Sequence, residues 1–426
     1  MNQSQIVLLL AVIPALFSCS SNKGTNNEDL SSSSVVASST SLSSSLSVSS
    51  SSIALSDADQ AQFDLLFAPP TESELDAQRA KFGTVDVSAI NPQLVEQGEM
   101  GPDLNGQNSR YWIISHMSDG YIHYGAVVFP EGVTDSLPVL LQCHWGDGGI
   151  ALDADFRMML LMEKGLSRQF VHVVPSFRSE SITNLGRTWT STGAPSPWDR
   201  DIFDALRLVA AAESLTVHPP AVLTVTPKIK QGTRRVIGFS RGGGVALLVA
   251  LNDKRYTRVA DYFGPTDFYG EFVQNVFRKL VTGTVPDLPG VDFLNAAVVS
   301  PYHQGTLTLD SARSELLRRS PARFASDLPP VMIHHGDADT IVPVSQAEDL
   351  WKAILKDGSG TTVASSRLFI YPGAGHSPFG MVGKIDSTIS FLSESAGGAL
   401  IAGAKRSATS IDPSVILWLR EYGEFR

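Results

Sequence analysis

Apolar runs recur along this chain from about residue 110 to residue 372, and between them lie stretches of helical period. Tyr111-Trp112-Ile113-Ile114-Ser115 and Ile122 to Phe129 read as two antiparallel strands joined at Asp119-Gly120. Pro138 to His144, Phe170 to Pro175, Arg235 to Ile237, Val331 to His335 and Leu368 to Tyr371 are short continuous apolar runs, the pattern of strands buried on both faces. Between the second and third of these runs, Ile202, Leu206, Val209 and Ala210 share one face of a helix over Pro197 to Glu213, with Pro197 suited to its first position. The small residues Gly243 to Ala250 follow the third run and predict another helix. Thr71 to Lys81 predicts a short helix with acid near its start. Strands alternating with helices imply an α/β domain, a mostly parallel twisted sheet with right-handed crossovers and helices on both faces. In such a sheet the functional loops gather at the strands' C-terminal edge. Folded sequence is expected to begin near Gln62, with residues 380–412 irregular and a last helix over Pro413 to Tyr422.

The N-terminal segment breaks this pattern. Ile6 to Phe17 is an uncharged apolar run, too short to span a bilayer comfortably and interrupted by Pro14. It suits the h-region of a signal peptide over residues 1–18. Leu16-Phe17-Ser18-Cys19 resembles a bacterial lipobox, which makes Cys19 the candidate lipidation site; plain secretion with cleavage near Ser18 or Ser20 is the alternative. Positions 31–52 are mostly Ser and none is charged or aromatic, so residues 19–55 are read as a flexible tether. A catalytic domain then occupies 56–426. The expected location is the cell envelope, as an outer-membrane lipoprotein or a secreted protein, with the membrane met only through the N-terminal anchor. If Cys19 carries lipid, Cys143 has no partner in a chain with 2 cysteines and serves as a small core hydrophobe.

Composition adds exclusions. With 426 residues, 43% of them hydrophobic, the chain can bury one large core. The net charge is −10, and no run of Lys and Arg offers a nucleic-acid surface. No phosphate-cradling glycine motif is present: the glycines at Gly146 to Gly149 lack a following Lys-Ser or Lys-Thr. His334 and His335, close to Asp337 and Asp339, would point to opposite faces of a strand, so neither a metal nor a cofactor is expected.

The candidate chemistry sits in three loops. Gly238-Phe239-Ser240-Arg241-Gly242 lies between a strand and a helix, the setting of a nucleophile elbow. A serine hydroxyl is a poor nucleophile until a base takes its proton. His376, in the Gly-rich loop after Leu368 to Tyr371, is the candidate base, and Asp339, after Val331 to His335, is the candidate carboxylate to orient it; Asp337 is its rival. The backbone amide of Arg241, directly after the serine, is one candidate oxyanion-hole donor. Trp145, Trp189 and Trp198 are candidates to line a substrate pocket or to fill the core.

Taken together, the elbow, the turn His335 to Pro343 and Gly375-His376-Ser377 resemble the catalytic domain of prolyl-oligopeptidase-like and dienelactone-hydrolase-like α/β-hydrolases. Gly264 to Phe268 and Leu316 to Pro321 extend the likeness, which covers about residues 110–380. The order Ser, Asp, His matches that fold. The resemblance implies that Asp339 orients His376 while Asp337 braces the turn. It also implies that His144-Trp145-Gly146 corresponds to the family's H-G-G loop, with Trp145 where glycine is usual, so that the second oxyanion donor lies near Gly146. Residues 268–318, rich in aromatics such as Phe272, Phe293 and Tyr302, would be a cap insertion. The implied function is a serine hydrolase that cleaves small-molecule or polymer-borne carboxylic esters through an acyl-enzyme. A prolyl-oligopeptidase-like peptidase acting on small peptides is the alternative, disfavoured because residues 56–110 leave no room for a propeller. A binding protein with an idle triad is the third reading.

Overall fold

A computed structural model describes residues 55–83, 85–102, 106–157 and 166–394. The signal segment, nearly all of the tether, Cys19 and the expected helix at 413–422 lie outside the described residues. Among the described residues, nine strands form one sheet, in the order β1 (Gln93–Pro102), β2 (Asn108–Ser118), β3 (Tyr121–Pro130), β6 (Val171–Pro175), β4 (Leu137–Cys143), β9 (Ile229–Phe239), β10 (Tyr256–Tyr262), β11 (Val331–Gly336) and β12 (Arg367–Tyr371). The first three pair antiparallel, β3 is antiparallel to β6, and every later pairing is parallel. A small second sheet joins β5 (Ile150–Ala151), β7 (Ser181–Asn184) and β8 (Arg187–Thr190).

The period of two sorts the sheet's side chains into two cores. Trp112, Ile114, Val127, Val139, Leu141, Val236, Val259 and Ile333 enter one. Their neighbours Ile113, Ala126, Val128, Leu140, Ile237, Ala260 and Met332 enter the other. The first core also takes the buried faces of α3 (Arg200–Val217), α4 (Arg241–Asn252) and α7 (Ser345–Asp357). The second is closed by Phe156 and by Phe391 and Leu392 of α8 (Ile385–Ser393). In the central strands side chains from both faces are thus out of water, which is why they read as unbroken apolar runs; β12, expected to be buried on both faces, is an edge strand whose Ile370 is exposed. No helix among the described residues is long and apolar enough to cross a membrane.

Several boundaries differ from expectation. Folded chain begins earlier than Gln62, at α1 (Asp57–Leu66), where the Ser56 hydroxyl caps the amide of Asp59. Its apolar content is slight, but Phe63 and Leu66 are buried, and Arg313 donates to the carbonyls of Leu65, Leu66 and Ala68 at its C-terminal end. The second helix, α2 (Glu72–Arg79), is bounded by a capping box between Thr71 and Glu74. Helix α3 starts at Arg200, so Pro197 is not its first residue. Trp198 takes φ 55°, and its amide donates to Asp201 at 3.3 Å, turning the chain before the helix can begin. The stretch 380–412, expected as irregular, contains α8 within its described part. Residues 268–318 contain the helices α5 (Glu271–Val281) and α6 (Leu309–Leu317) and pack on α1 through Phe277–Phe63 and Tyr302–Gln62 contacts.

Register positions the loops. Cys143 pairs with Gly238, Phe239 with Tyr262, Tyr262 with His334, and Gly336 with Tyr371. The C-terminal ends of β4, β9, β10, β11 and β12 therefore form one row. The loops that leave them are neighbours in space although they are spread along the chain from His144 to Ala374.

Candidate active site

Ser240 is the residue between β9 and α4, with φ 54° and ψ −122°. A non-glycine residue in that region is strained by about 1–3 kcal/mol and persists only where its surroundings enforce it. Close packing enforces it here. A Cβ at Gly238 would overlap the carbonyl of Gly242, and one at Gly242 would overlap the carbonyl of Cys143 at the end of β4. The Ser240 amide donates to Tyr262 O at 2.8 Å, fixing the turn to the neighbouring strand. Ser240 is 8% exposed, at the N-terminus of a helix whose twelve residues are all buried.

His376 arrives on the loop after β12. Its Nε2 lies 2.8 Å from Ser240 Oγ and its Nδ1 2.7 Å from Asp339 Oδ2. Phe263, at φ 45°, sets its ring edge against the imidazole with centroids 4.6 Å apart. The other oxygen of Asp339 accepts the amides of Ile341 and Val342, each at 2.9 Å. Burial pushes this carboxyl's pKa up, but hydrogen bonds from His335 and His376 and the Val342 amide outweigh it and hold the group well below the usual carboxylate range. Asp339 is therefore an acceptor, Nδ1 of His376 carries the proton, and Nε2 presents its lone pair to the serine hydroxyl.

Asp337, the rival acid, is exposed and accepts the amide of Gly373 at 2.6 Å. It ties the histidine-bearing loop to the β11 turn without meeting His376. His334 and His335 diverge as adjacent strand residues must. His334 stacks between Tyr262 and Phe369, while His335 Nε2 donates to Val342 O at 2.8 Å and lies 3.4 Å from Asp339.

On the far side of Ser240, the amide of Arg241 is the first of α4 and has no partner within that helix. The loop after β4 runs beside it. Gly146 takes φ 65°, a left-handed conformation that glycine adopts without cost. Both peptide planes around Gly146 are held: His144 Nδ1 donates to Trp145 O at 2.8 Å, and Arg241 Nη1 donates to Gly146 O at 3.1 Å. Burial pushes the His144 pKa down to about 3, so its ring is neutral. The Arg241 side chain is buried between Asp201 and Glu180 and lies over the Phe177 ring. Trp198 belongs to the core: its indole donates to Arg241 O at 3.1 Å, and it packs on Phe268. Trp145 and Trp189 are half-buried beside the second core.

Glu180, Asp201 and Phe263 are not singled out by sequence reasoning. Asp201 has a readable signal, an acid on the helix face shared by Ala205, Leu208 and Ala212. Glu180 and Phe263 lie in irregular segments with no periodicity to mark them.

No protein-family model matches the sequence, and no curated protein matches it. Solved structures do. Acetyl xylan esterase 1 from Thermoanaerobacterium sp. JW/SL YS485 is 16% identical, over 78% of this chain and 92% of that one, with a TM-score of 0.47. A ligand-bound form of the rice cell wall degrading esterase LipA from Xanthomonas oryzae is 15% identical, over 70% and 96%, with a TM-score of 0.45. A puromycin-hydrolyzing peptidase from Mycobacterium tuberculosis is 16% identical, over 70% and 45%, with a TM-score of 0.45. Likeness at this level leaves the fold to rest on the strand order and the elbow.

Proposed function

We propose that this chain of α/β-hydrolase fold is a serine hydrolase that cleaves carboxylic esters. The observation that carries the reading is the unbroken line Ser240 Oγ, His376 Nε2, His376 Nδ1, Asp339 Oδ2, with hydrogen bonds of 2.8 and 2.7 Å. As Ser240 Oγ bonds to the ester carbonyl carbon, its proton passes to Nε2, and the negative charge on the former carbonyl oxygen meets the Arg241 amide and a Gly146-side amide. Collapse breaks the bond to the alcohol, which leaves with the proton from His376. Water, deprotonated by the same nitrogen, then releases the acid and restores the serine.

Small peptides are the alternative substrate. Among the described residues the segment ahead of β2 forms α1, α2 and β1, with nothing that would gate a peptide, and this favours esters. A fluorophosphonate probe tests the class and two chromogenic substrates test the choice. The expected results are one adduct, on Ser240, and turnover of 4-nitrophenyl acetate well above that of an aminoacyl 4-nitroanilide. Faster anilide turnover would make the protein a peptidase. No adduct and no turnover of either would leave a binding protein.

We also propose that Cys19 anchors the mature protein to the outer membrane. The support is the lipobox-like Leu16-Phe17-Ser18-Cys19, the serine-rich tether after it, and Ser20, which is no retention acid. Stable anchoring needs more than one acyl chain. Cys19→Ser is expected to move the protein from the membrane fraction to the soluble fraction, or to leave it uncleaved. Mass spectrometry that finds an unmodified N-terminus on wild-type protein would overturn the anchor and leave the hydrolase reading untouched.

A further inference from the structure

The guanidinium of Arg241 does something that the line of Ser240, His376 and Asp339 does not call for. We infer that the Arg241 side chain is a positioning residue: clamped by Asp201 and Glu180, it holds the Gly146 carbonyl and so sets where the 144–149 loop presents its amides to the reacting carbonyl. The inference rests on the reading of Ser240 as the nucleophile.

The geometry is that of a fork used at every tine. Arg241 Nε and Nη2 both donate to Asp201 Oδ2, at 3.0 and 2.7 Å, and Nη1 donates to Glu180 Oε1 and to Gly146 O. Phe177 lies against the guanidinium at 4.7 Å, and the Trp198 amide also donates to Asp201 Oδ2. His144 Nε2 approaches Glu180 Oε2 at 3.5 Å while its Nδ1 holds Trp145 O. Asp201 and Glu180 are both deeply buried, and burial is the largest influence raising the pKa of each. Glu180 thus stands behind Arg241 on one peptide plane, while the neutral His144 ring grips the preceding one through Nδ1.

A trans peptide is planar, so fixing a carbonyl fixes the direction of the amide across the same bond. The Trp145 carbonyl fixes the Gly146 amide, and the Gly146 carbonyl fixes the amide of Asp147. Nothing lies within 4 Å of where a Gly146 Cβ would sit, so no side-chain packing holds its left-handed backbone. An oxyanion donor acts only when held in place before the charge appears. The same residue therefore supplies one donor from its own amide and steadies the other through its side chain, and a shift of the elbow is transmitted to the loop. A buried ion cluster is weak support for stability when neutral groups of the same shape could replace it. Its place beside Ser240 is accounted for by position. Lysine could not substitute, since one ammonium cannot span Asp201, Glu180 and Gly146 O together.

The test uses Arg241→Lys, with 4-nitrophenyl acetate as substrate and phenylboronic acid as a tetrahedral adduct of the serine. We expect kcat to fall about 100-fold, the lower end of the range for loss of one oxyanion donor, with KM changed less than about threefold. The affinity for the boronic acid is expected to fall by the same factor as kcat. A merely structural arginine would lower the melting temperature and leave kcat and boronate affinity together at wild-type values, and that result would overturn the inference. Should Arg241→Lys fail to fold, Arg241→Met combined with Asp201→Asn and Glu180→Gln replaces the ions by neutral groups of similar shape. That triple variant should fold and show the same paired loss; wild-type turnover by it overturns the inference. Wild-type protein that takes no fluorophosphonate label at Ser240 would instead remove the nucleophile reading, a different failure from either variant behaving normally.

Discussion

Ser240→Ala is expected to lower kcat for ester hydrolysis by on the order of 10⁵-fold while the domain stays folded. The loss is large because the serine, base and acid act as a unit: without Oγ, the lone pair of His376 Nε2 and the charge of Asp339 have no nucleophile to activate. Residual turnover would come from the donors at Arg241 and the 144–149 loop, acting on direct attack by water. The fold should survive because Oγ bonds to His376 Nε2, and the 19% exposure of that side chain lets water replace the lost partner. The turn itself is enforced by Gly238 and Gly242, which the substitution leaves in place. The melting temperature is expected to stay within a few degrees of wild type. Steady-state kinetics and thermal melting of the same preparation read both outcomes. Near-wild-type turnover would remove Ser240 from the mechanism and with it the proposed function.

Much of this arrangement is legible because strands buried on both faces write themselves as unbroken apolar runs. Val331 to His335 is such a strand; Leu368 to Tyr371 is an equally apolar run but forms the sheet's edge strand, with Ile370 exposed, and in both cases the residues just past the ends become the natural places to look for chemistry. Parallel register does the rest: once β9, β10, β11 and β12 lie side by side, Ser240, Asp339 and His376 come together from distant stretches of the chain. Spacing alone leaves Asp337 and Asp339 as rivals, and only the family resemblance separates them; in the fold the turn directs them to different partners, the Gly373 amide and the imidazole.

What is not legible depends on contacts between segments with no shared period. The start of α3 is misplaced from sequence because Pro197 is a good first helical residue in isolation. The tertiary contact that wins, the Trp198 indole under the elbow helix, forces Trp198 to φ 55° and delays the helix to Arg200. Helix α1 leaves little trace in the sequence because its burial is confined to Phe63 and Leu66; what docks it is Arg313, far away along the chain. The carboxylates around Arg241 belong to the same class. Glu180 looks like an ordinary surface acid, and Asp201 shows only its place on an apolar helix face, until the fold sets a guanidinium between them.

Asp339→Asn is expected to lower kcat by about 10⁴-fold, whereas Asp337→Asn should leave kcat within a few-fold of wild type. At position 339 the backbone dictates how an amide would sit. The amides of Ile341 and Val342 both need an acceptor, so the asparagine oxygen turns toward them and its NH₂ turns toward His376. A donor facing Nδ1 selects the tautomer with the proton on Nε2, which then points a hydrogen at Ser240 where a lone pair is required. The charge that would stabilise the imidazolium is lost at the same step. His335, 3.4 Å from the carboxylate, would also face the new NH₂ as one donor to another. At position 337 the amide keeps a carbonyl oxygen for Gly373 N, and the site is exposed, so the change should cost about 1 kcal/mol of stability or less. Kinetics of the two variants side by side, with melting as the control for folding, decide the assignment. A severe loss at Asp337 with Asp339→Asn near wild type would exchange the roles of the two acids, because both variants keep the shape of the turn and differ only in which loop atom they face.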